Sequence, residues 1–451
     1  MEMKGTAFKA YDIRGRFPDE INEEMAYRIG RIFAEQFGAK SVAVGHDIRL
    51  SGQALVDALT LGLTEMGCDV FDIGMCGTEQ IYFTTAHMNL DGGIMVTASH
   101  NPQEYNGMKL VRKESRPISA DTGLMDIRDK VLSGELPEKA AELGKVYDVN
   151  CMPEYVEHLL TYIDTSALKP LKIVVNAGNG AAGPVIDAIQ DKLPFEFIKV
   201  NHEPDGTFPN GVPNPLLEEN RDATASVVLA EKADLGVAWD GDFDRCFLFD
   251  ENGVLVEGYY MVGLLAQAFL AQNAGAKIIY DPRLIWNTIE LVEAAGGEPV
   301  MCKSGHAFIK ERMRNVEAIY GGEMSAHHYF KDFSYCDSGM IPWLLVVELL
   351  AKTGKTLGQL VQSMTDNYPI SGEINSTVAD SKAVLAKIEE TYAPNALSVD
   401  KTDGLSIAYD NWRFNVRSSN TEPLLRLNVE ARGDKALLDA KTQELVALIR
   451  G

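Results

Sequence analysis

The chain predicts an α/β protein of three tandem α/β domains followed by a smaller C-terminal α+β domain. Three observations carry this. Its 451 residues exceed what one hydrophobic core organises and suggest three or four domains. Segments of helical period alternate with short apolar, strand-like runs through most of the chain. That rhythm recurs in three successive blocks of similar size before a smaller unit begins near Tyr368-Pro369. The expected boundaries are 1–147, 148–253, 254–366 and 367–451.

Composition narrows the function classes. Hydrophobic residues make up 46% and charged residues 24%, which describes a globular protein with ample core material. The 42 basic and 65 acidic side chains leave a formal charge of -23. Nucleic-acid and anionic-membrane partners, which need a basic surface, are therefore not expected. A phosphate ester would need its cations gathered in one place against the overall field. Cys68, Cys76, Cys151, Cys246, Cys302 and Cys336 contain no C-x-x-C pair and read as buried free thiols. No signal-peptide core opens the sequence, and no apolar run approaches ~18 residues, so a cytoplasmic protein is expected.

In the first block Ile21 to Phe37 reads as a helix, 41–45 as a strand, Gln53 to Met66 as a helix and 69–73 as a strand. Thr78 to His87 is helical and 93–96 a buried strand. Thr97 to Leu110, TASHNPQEYNGMKL, follows it. Pro102 cannot continue a strand or helix, so the chain should turn at Ser99-His100-Asn101-Pro102 and again near Asn106-Gly107. Ser99 on a loop tip is either part of an ordinary polar turn or a nucleophilic, phosphate-carrying serine with donors from His100 and Lys109. Arg14, ahead of Gly15, reads as a surface cation paired with Asp12.

The polar stretch Ser133 to Lys145 marks the exit to the second block. There 171–175 runs into Asn176-Ala177-Gly178-Asn179-Gly180-Ala181-Ala182-Gly183, a G-x-G-x-x-G between strand and helix, with Glu203 and Asp205 about 20 residues on. A dinucleotide-binding oxidoreductase would use those glycines; so would any tight turn packed on its sheet. The Pro-rich DGTFPNGVPNPL that follows is odd for a ribose pocket. Further on, Asp240-Gly241-Asp242-Phe243-Asp244-Arg245 lies between two strand-like runs. Three carboxylates on alternate residues repel one another unless a hard cation or an Arg neutralises them. A calcium EF-hand is excluded because Arg245 holds the position that needs Gly and the flanks are strands.

In the third block His306 begins a helix, where the positive end of the helix dipole disfavours its charged form. Gly321-Gly322-Glu323-Met324-Ser325-Ala326-His327-His328 leaves a strand and presents an acceptor beside a hydroxyl, suited to two sugar hydroxyls or to a plain polar loop. Asp337 to Ala351 and Thr356 to Thr365 read as helices. In the last block strand 412–416 leads to Arg417-Ser418-Ser419-Asn420-Thr421, a turn suited to gripping a phosphate dianion.

TASHNPQEYNGMKL, DGDFDR, GHAFIK, GEMSAH and RSSNTEP together resemble the motifs of the α-D-phosphohexomutases, with at least one in each domain and over essentially the whole chain. The resemblance implies mixed sheets arranged around a central cleft. It implies that Ser99 carries the phosphoryl group and that Asp240, Asp242, Asp244 and one phosphoserine oxygen hold Mg²⁺. Arg14, Lys109, Arg245 and His100 become groups beside the phosphoserine, and His306 or Lys109 the proton acceptor. Glu323 and Ser325 become readers of the 3- and 4-hydroxyls, with His327 and Arg283 also toward substrate. Arg417, Ser419, Asn420 and Thr421 become the clamp on the non-reacting phosphate, with Arg426 a weaker candidate. The family pattern has Gly where Ala326 stands. The implied reaction interconverts mannose 6-phosphate and mannose 1-phosphate, or the glucose pair, through a hexose 1,6-bisphosphate. A phosphatase, an NAD-dependent oxidoreductase and a non-catalytic sugar-phosphate-binding protein are the alternatives. The expected partners are small hexose phosphates, in a monomer or small homo-oligomer.

Overall fold

The computed structural model describes residues 4–418 and 424–451. The chain forms two compact units, one of residues 1–255 with 327–354, the other of 256–326 with 355–451. The stretch expected as a third domain, 254–366, therefore contributes to both.

The first unit opens with β1 (Ile13–Arg16), α1 (Glu23–Phe37), β2 (Ser41–His46), α2 (Gly52–Thr64), β3 (Asp69–Met75), α3 (Thr78–His87), β4 (Gly92–Val96), β5 (Tyr105–Arg112), the short β6 (Arg116–Pro117) and β7 (Val146–Asp148). Their sheet runs β1-β5-β4-β2-β3-β7, with β6 on β5. β2 lies parallel to β3 and β4, whereas β5 is antiparallel to β4 and β1, so the sheet is mixed. α1 and α2 pack Ile29, Ile32, Phe33, Leu55, Leu59 and Leu63 onto Val42, Val44, Ile94 and Val96. Fully buried parallel strands need apolar residues on both faces, which explains the uninterrupted run in β4.

A second sheet follows: β8 (Lys172–Asn176), β9 (Glu196–Val200), β10 (Leu235–Trp239) and β11 (Cys246–Phe249). β8 is parallel to β9 and β10, and β10 folds back antiparallel on β11 with Trp239 opposite Cys246. The glycine-rich turn after β8 is explained by its neighbours. A Cβ on Gly178 would meet Pro213 at 2.3 Å, one on Gly180 the Gly241 carbonyl at 2.8 Å, and one on Gly183 the His202 carbonyl at 2.1 Å. Gly180 lets the turn lie against the DGDFDR loop, where Ala181 N–H donates to the Gly241 carbonyl at 3.1 Å, while Gly178 and Gly183 make room for Pro213 and His202.

Two local expectations are corrected. Asn106-Gly107 is not a turn but lies inside β5. The glycine is required because β1 passes so near that a Cβ would stand 1.9 Å from the Ile13 carbonyl oxygen. The helix expected from Asp337 starts at Ile341: Cys336–Asp337 is a strand, and the Ser338 hydroxyl accepts from the N–H groups of Met340 and Ile341.

In the second unit, strand Lys277–Tyr280 lies parallel to Glu298–Met301 and Tyr320–Gly322. The C-terminal sheet is antiparallel, in the order Ile374–Thr377, Leu424–Ala431, Trp412–Ser418, Leu405–Ala408, Ser398–Asp400. Ile388, Leu438, Leu445 and Ile449 from helices Ser381–Tyr392 and Lys435–Arg450 close its core.

Candidate active site

In the first unit the site gathers at the carboxyl ends of β2, β4 and β10, where open α/β sheets bind ligands. β4 ends at Val96, and Thr97 donates to Asp47 Oδ2 at 2.6 Å while accepting from the N–H of Ser99 at 2.9 Å. That bond turns the chain, and Ser99 takes a left-handed φ of 48°, unusual for a non-glycine residue. Its hydroxyl, 2% exposed as a residue, donates to Asp240 Oδ2 at 2.7 Å and lies 3.1 Å from His100 Nδ1.

Asp240, Asp242 and Asp244 are buried on the tight β10–β11 connection, and one carboxylate oxygen from each lies within 4.8 Å of the others. The Oδ1 atoms of all three have no hydrogen-bond partner among the described residues. Buried acceptors are rarely left so, and three of them converging form an oxygen cage that fits a hard divalent cation. Lys109 on β5 donates to Asp242 Oδ2 at 2.7 Å and also bonds Asp244. Burial opposes the charge of Asp242, but Lys109, Thr78 and Arg14 outweigh it and hold its carboxyl below the usual range. Burial and then Asp242 push Asp244 up to about 6, against Lys109. Burial also disfavours charge on Lys109, yet the two aspartates prevail and keep it protonated.

Other cations surround the serine. Arg245 donates from Nε and Nη2 to Asp240 Oδ2 at 2.8 and 2.7 Å, and to His100 Nδ1. Arg14 pairs with Asp12 at 2.7 Å, as its sequence position suggests, and also reaches Asn101 Oδ1 at 2.7 Å in the Ser99 loop. Burial, then Arg245 and Arg14, depress His100 far below its ordinary pKa, so it is neutral and accepts rather than donates at Nδ1. His327 bonds Asp337 at 3.0 Å and lies 3.9 Å from Asp244.

Several residues went unread in the sequence. The Arg49 guanidinium, buried beside Asp47, donates to the carbonyls of Ser99, Asn101, Pro102 and Tyr105 at 2.5–2.9 Å. A charged pair directly after strand β2 was the available signal. Thr78 at the start of α3 donates to Asp242 Oδ2 at 2.6 Å. Next to it, buried Glu79 accepts from Tyr155, Ser338, Gly339 and Met340, fixing the turn against which the Trp239 indole donates to Gly339 O.

The second unit brings together Arg283, Glu323 and Ser325. Arg283 grips Asp281 through Nε and Nη2 at 2.8 and 3.0 Å, and Nη2 also lies 3.4 Å from Glu323 and 3.2 Å from Ser325. Ala326 adopts φ 70°, the conformation that a glycine would take without strain. His306 begins helix His306–Val316 after Gly305 and is 8% exposed. Arg417 and Arg426 face each other across adjacent strands. Ser419, Asn420 and Thr421 lie outside the described residues.

Four family profiles match the chain, described as phosphoglucomutase/phosphomannomutase alpha/beta/alpha domains I, II and III and the C-terminal domain, at residues 5–137, 153–253, 257–368 and 373–448. A protein of Xanthomonas campestris named phosphohexose mutases is 59% identical, over 99% of both chains. The phosphomannomutase of Escherichia coli K12 is 57% identical, over 99% of both. A crystal structure of a phosphoglucomutase/phosphomannomutase family protein from Burkholderia thailandensis superposes with a TM-score of 0.88 at 32% identity, covering 99% of this chain and 98% of that one.

Proposed function

The chain belongs to the phosphoglucomutase/phosphomannomutase family and is a phosphohexomutase, and on that premise we propose that it interconverts mannose 6-phosphate and mannose 1-phosphate. One observation supports the reading above others: the buried Ser99 hydroxyl bonds at 2.7 Å to Asp240, one of three converging buried acids whose Oδ1 atoms lack partners among the described residues, with Lys109 and Arg245 bonded to the acids.

In this reading phospho-Ser99 is the working form. The bond between phosphorus and the Ser99 oxygen breaks, and one to a free hydroxyl of the sugar phosphate forms. The hydroxyl proton passes to an imidazole, and hexose 1,6-bisphosphate results. The bisphosphate then presents its other phosphate, which returns to Ser99. Asp240, Asp242, Asp244 and the serine phosphate would hold Mg²⁺, which when bound would neutralise charge on the transferring group. Arg14, Arg245 and Lys109 stabilise its equatorial oxygens. Lys109, kept charged by two aspartates, serves as a cation and not as the base. His306, or His327 oriented by Asp337, takes the proton. Glu323 and Ser325 read hydroxyls, and Arg417 holds the phosphate that does not react.

The test is direct. Enzyme incubated with hexose 1,6-bisphosphate should gain one phosphoryl group on the peptide containing Ser99, and Ser99→Ala should abolish both that gain and turnover. The ratio of kcat/KM for mannose 1-phosphate to that for glucose 1-phosphate then decides the sugar. No label on Ser99 in active enzyme sinks the proposal.

A further inference from the structure

In the second unit, three guanidinium groups converge on one carboxylate. Glu373, between Gly372 and strand Ile374–Thr377, places Oε1 3.2 Å from Arg426 Nη1 and Oε2 3.8 Å from Arg417 Nη2 and 3.9 Å from Arg283 Nη1. Arg283 is already matched by its grip on Asp281. Among the described residues Arg417 and Arg426 are not: they sit directly opposite each other in antiparallel register, where like charges repel. The other acid near Arg417 among the described residues, Asp403, is 3.9 Å away and accepts from the N–H of Ser304. The Nε atoms of Arg417 and Arg426 are buried without a hydrogen-bond partner among the described residues. This arginine pair thus has more donors and more charge than Glu373 uses. A carboxylate offers two oxygens and one negative charge, whereas a phosphate dianion offers three oxygens and up to two charges.

We propose that Glu373 is an internal stand-in for the substrate's non-reacting phosphate, holding Arg417 and Arg426 in position and yielding them when a phosphate ester arrives. The proposal rests on the reading of Arg417 as a phosphate-holding residue and assigns to Glu373 the control of that affinity. An empty arginine pair would hold phosphate esters tightly and release them slowly. Such retention suits a single turnover badly when the bisphosphate must let go and rebind with its ends exchanged. An acid that competes for the same donors lowers affinity at this end and speeds release. It also screens against monoanions, which cannot outcompete a tethered carboxylate.

The test uses the full chain and inorganic phosphate as probe, by calorimetry and by inhibition of turnover. Glu373→Gln, which removes charge and keeps shape, should bind orthophosphate about tenfold more tightly, a change of about 1.4 kcal/mol. Its KM for mannose 1-phosphate should fall, and its kcat should fall as release slows. Glu373→Asp, which withdraws the carboxylate, should shift in the same direction by less and serves if the glutamine variant folds poorly. Weaker or unchanged phosphate binding in folded variants overturns the proposal. Arg417→Met separates the two layers: loss of phosphate binding there, with no gain in Glu373→Gln, leaves the clamp reading standing and rejects displacement. Phosphate binding intact in Arg417→Met rejects the clamp reading itself.

Discussion

Arg49 shows how much one buried side chain can decide. Four carbonyls of the Ser99 loop point at its guanidinium, and Asp47 neutralises it from the other side. A loop with a serine at positive φ would relax without that grip, since such backbone costs on the order of 1–3 kcal/mol. Lys at this position keeps the charge but cannot span four acceptors. Arg49→Lys should therefore lower kcat about 10- to 100-fold, as hydrogen bonds from charged groups contribute about 1.5–3 kcal/mol each. KM should move little, because Arg49 touches the loop and not the sugar. An equal loss of kcat in a variant whose Ser99 phosphorylates at the normal rate would contradict this. Glu79 makes a prediction of the opposite kind. Burial pushes its carboxyl from 4.5 up to about 8, in spite of four donors. The folded state holds that proton more tightly than the unfolded chain, so this contribution to stability is complete below the unfolded pKa and is lost as pH rises through about 8. Glu79→Gln should flatten the fall in urea-unfolding free energy between about pH 5 and about pH 9, by on the order of a few kcal/mol. The Tyr155 hydroxyl can turn to accept from the amide. An unchanged slope would assign the proton elsewhere.

At the scale of elements, glycines set spacing more than they make turns. β1 carries Arg14 and pairs with β5, which carries Lys109, at the Arg14–Gly107 position. Gly107→Ala would drive a Cβ to 1.9 Å from the Ile13 carbonyl, backbone that cannot step aside. Prising β1 away should cost about 2–3 kcal/mol. Activity should fall further than stability, since Arg14 leaves the Ser99 loop; a drop in melting temperature with full kcat would show that the strand recovers its place. Gly107 also explains what the sequence hid. Period and apolarity revealed most helices and strands, including β4 and the runs flanking the aspartate loop, because burial writes itself into residue pattern. Asn106-Gly107 imitates a turn locally, and only the neighbouring strand reveals its purpose. The juxtaposed Ser99 and three aspartates were legible as candidates because each motif is contiguous. Arg49, Thr78 and Glu79 were not, because the site groups they hold lie 50 to 261 residues away.

For the whole molecule, the decisive fact is that the chain crosses between two compact units three times, at about residues 255, 326 and 354. Each unit gathers its own groups: the first the serine and the three acids, the second the Arg283–Glu323–Ser325 cluster and the arginine pair. Ligands specific to one should stabilise that unit locally, by about 2.7 kcal/mol at a hundredfold excess over Kd, which slows exchange of amides that open with the site by about 100-fold. Mg²⁺ alone should protect the β10–β11 connection and the first turn of α3, because Thr78 N–H donates to the carbonyl of Asp242. Orthophosphate alone should protect strand Trp412–Ser418, which places Arg417 opposite Arg426. Hydrogen-exchange mass spectrometry with each ligand in turn separates the two patterns. Protection by Mg²⁺ that skipped the aspartate loop, or by phosphate that skipped the arginine strand, would mean that the chemistry is divided between the units in some other way.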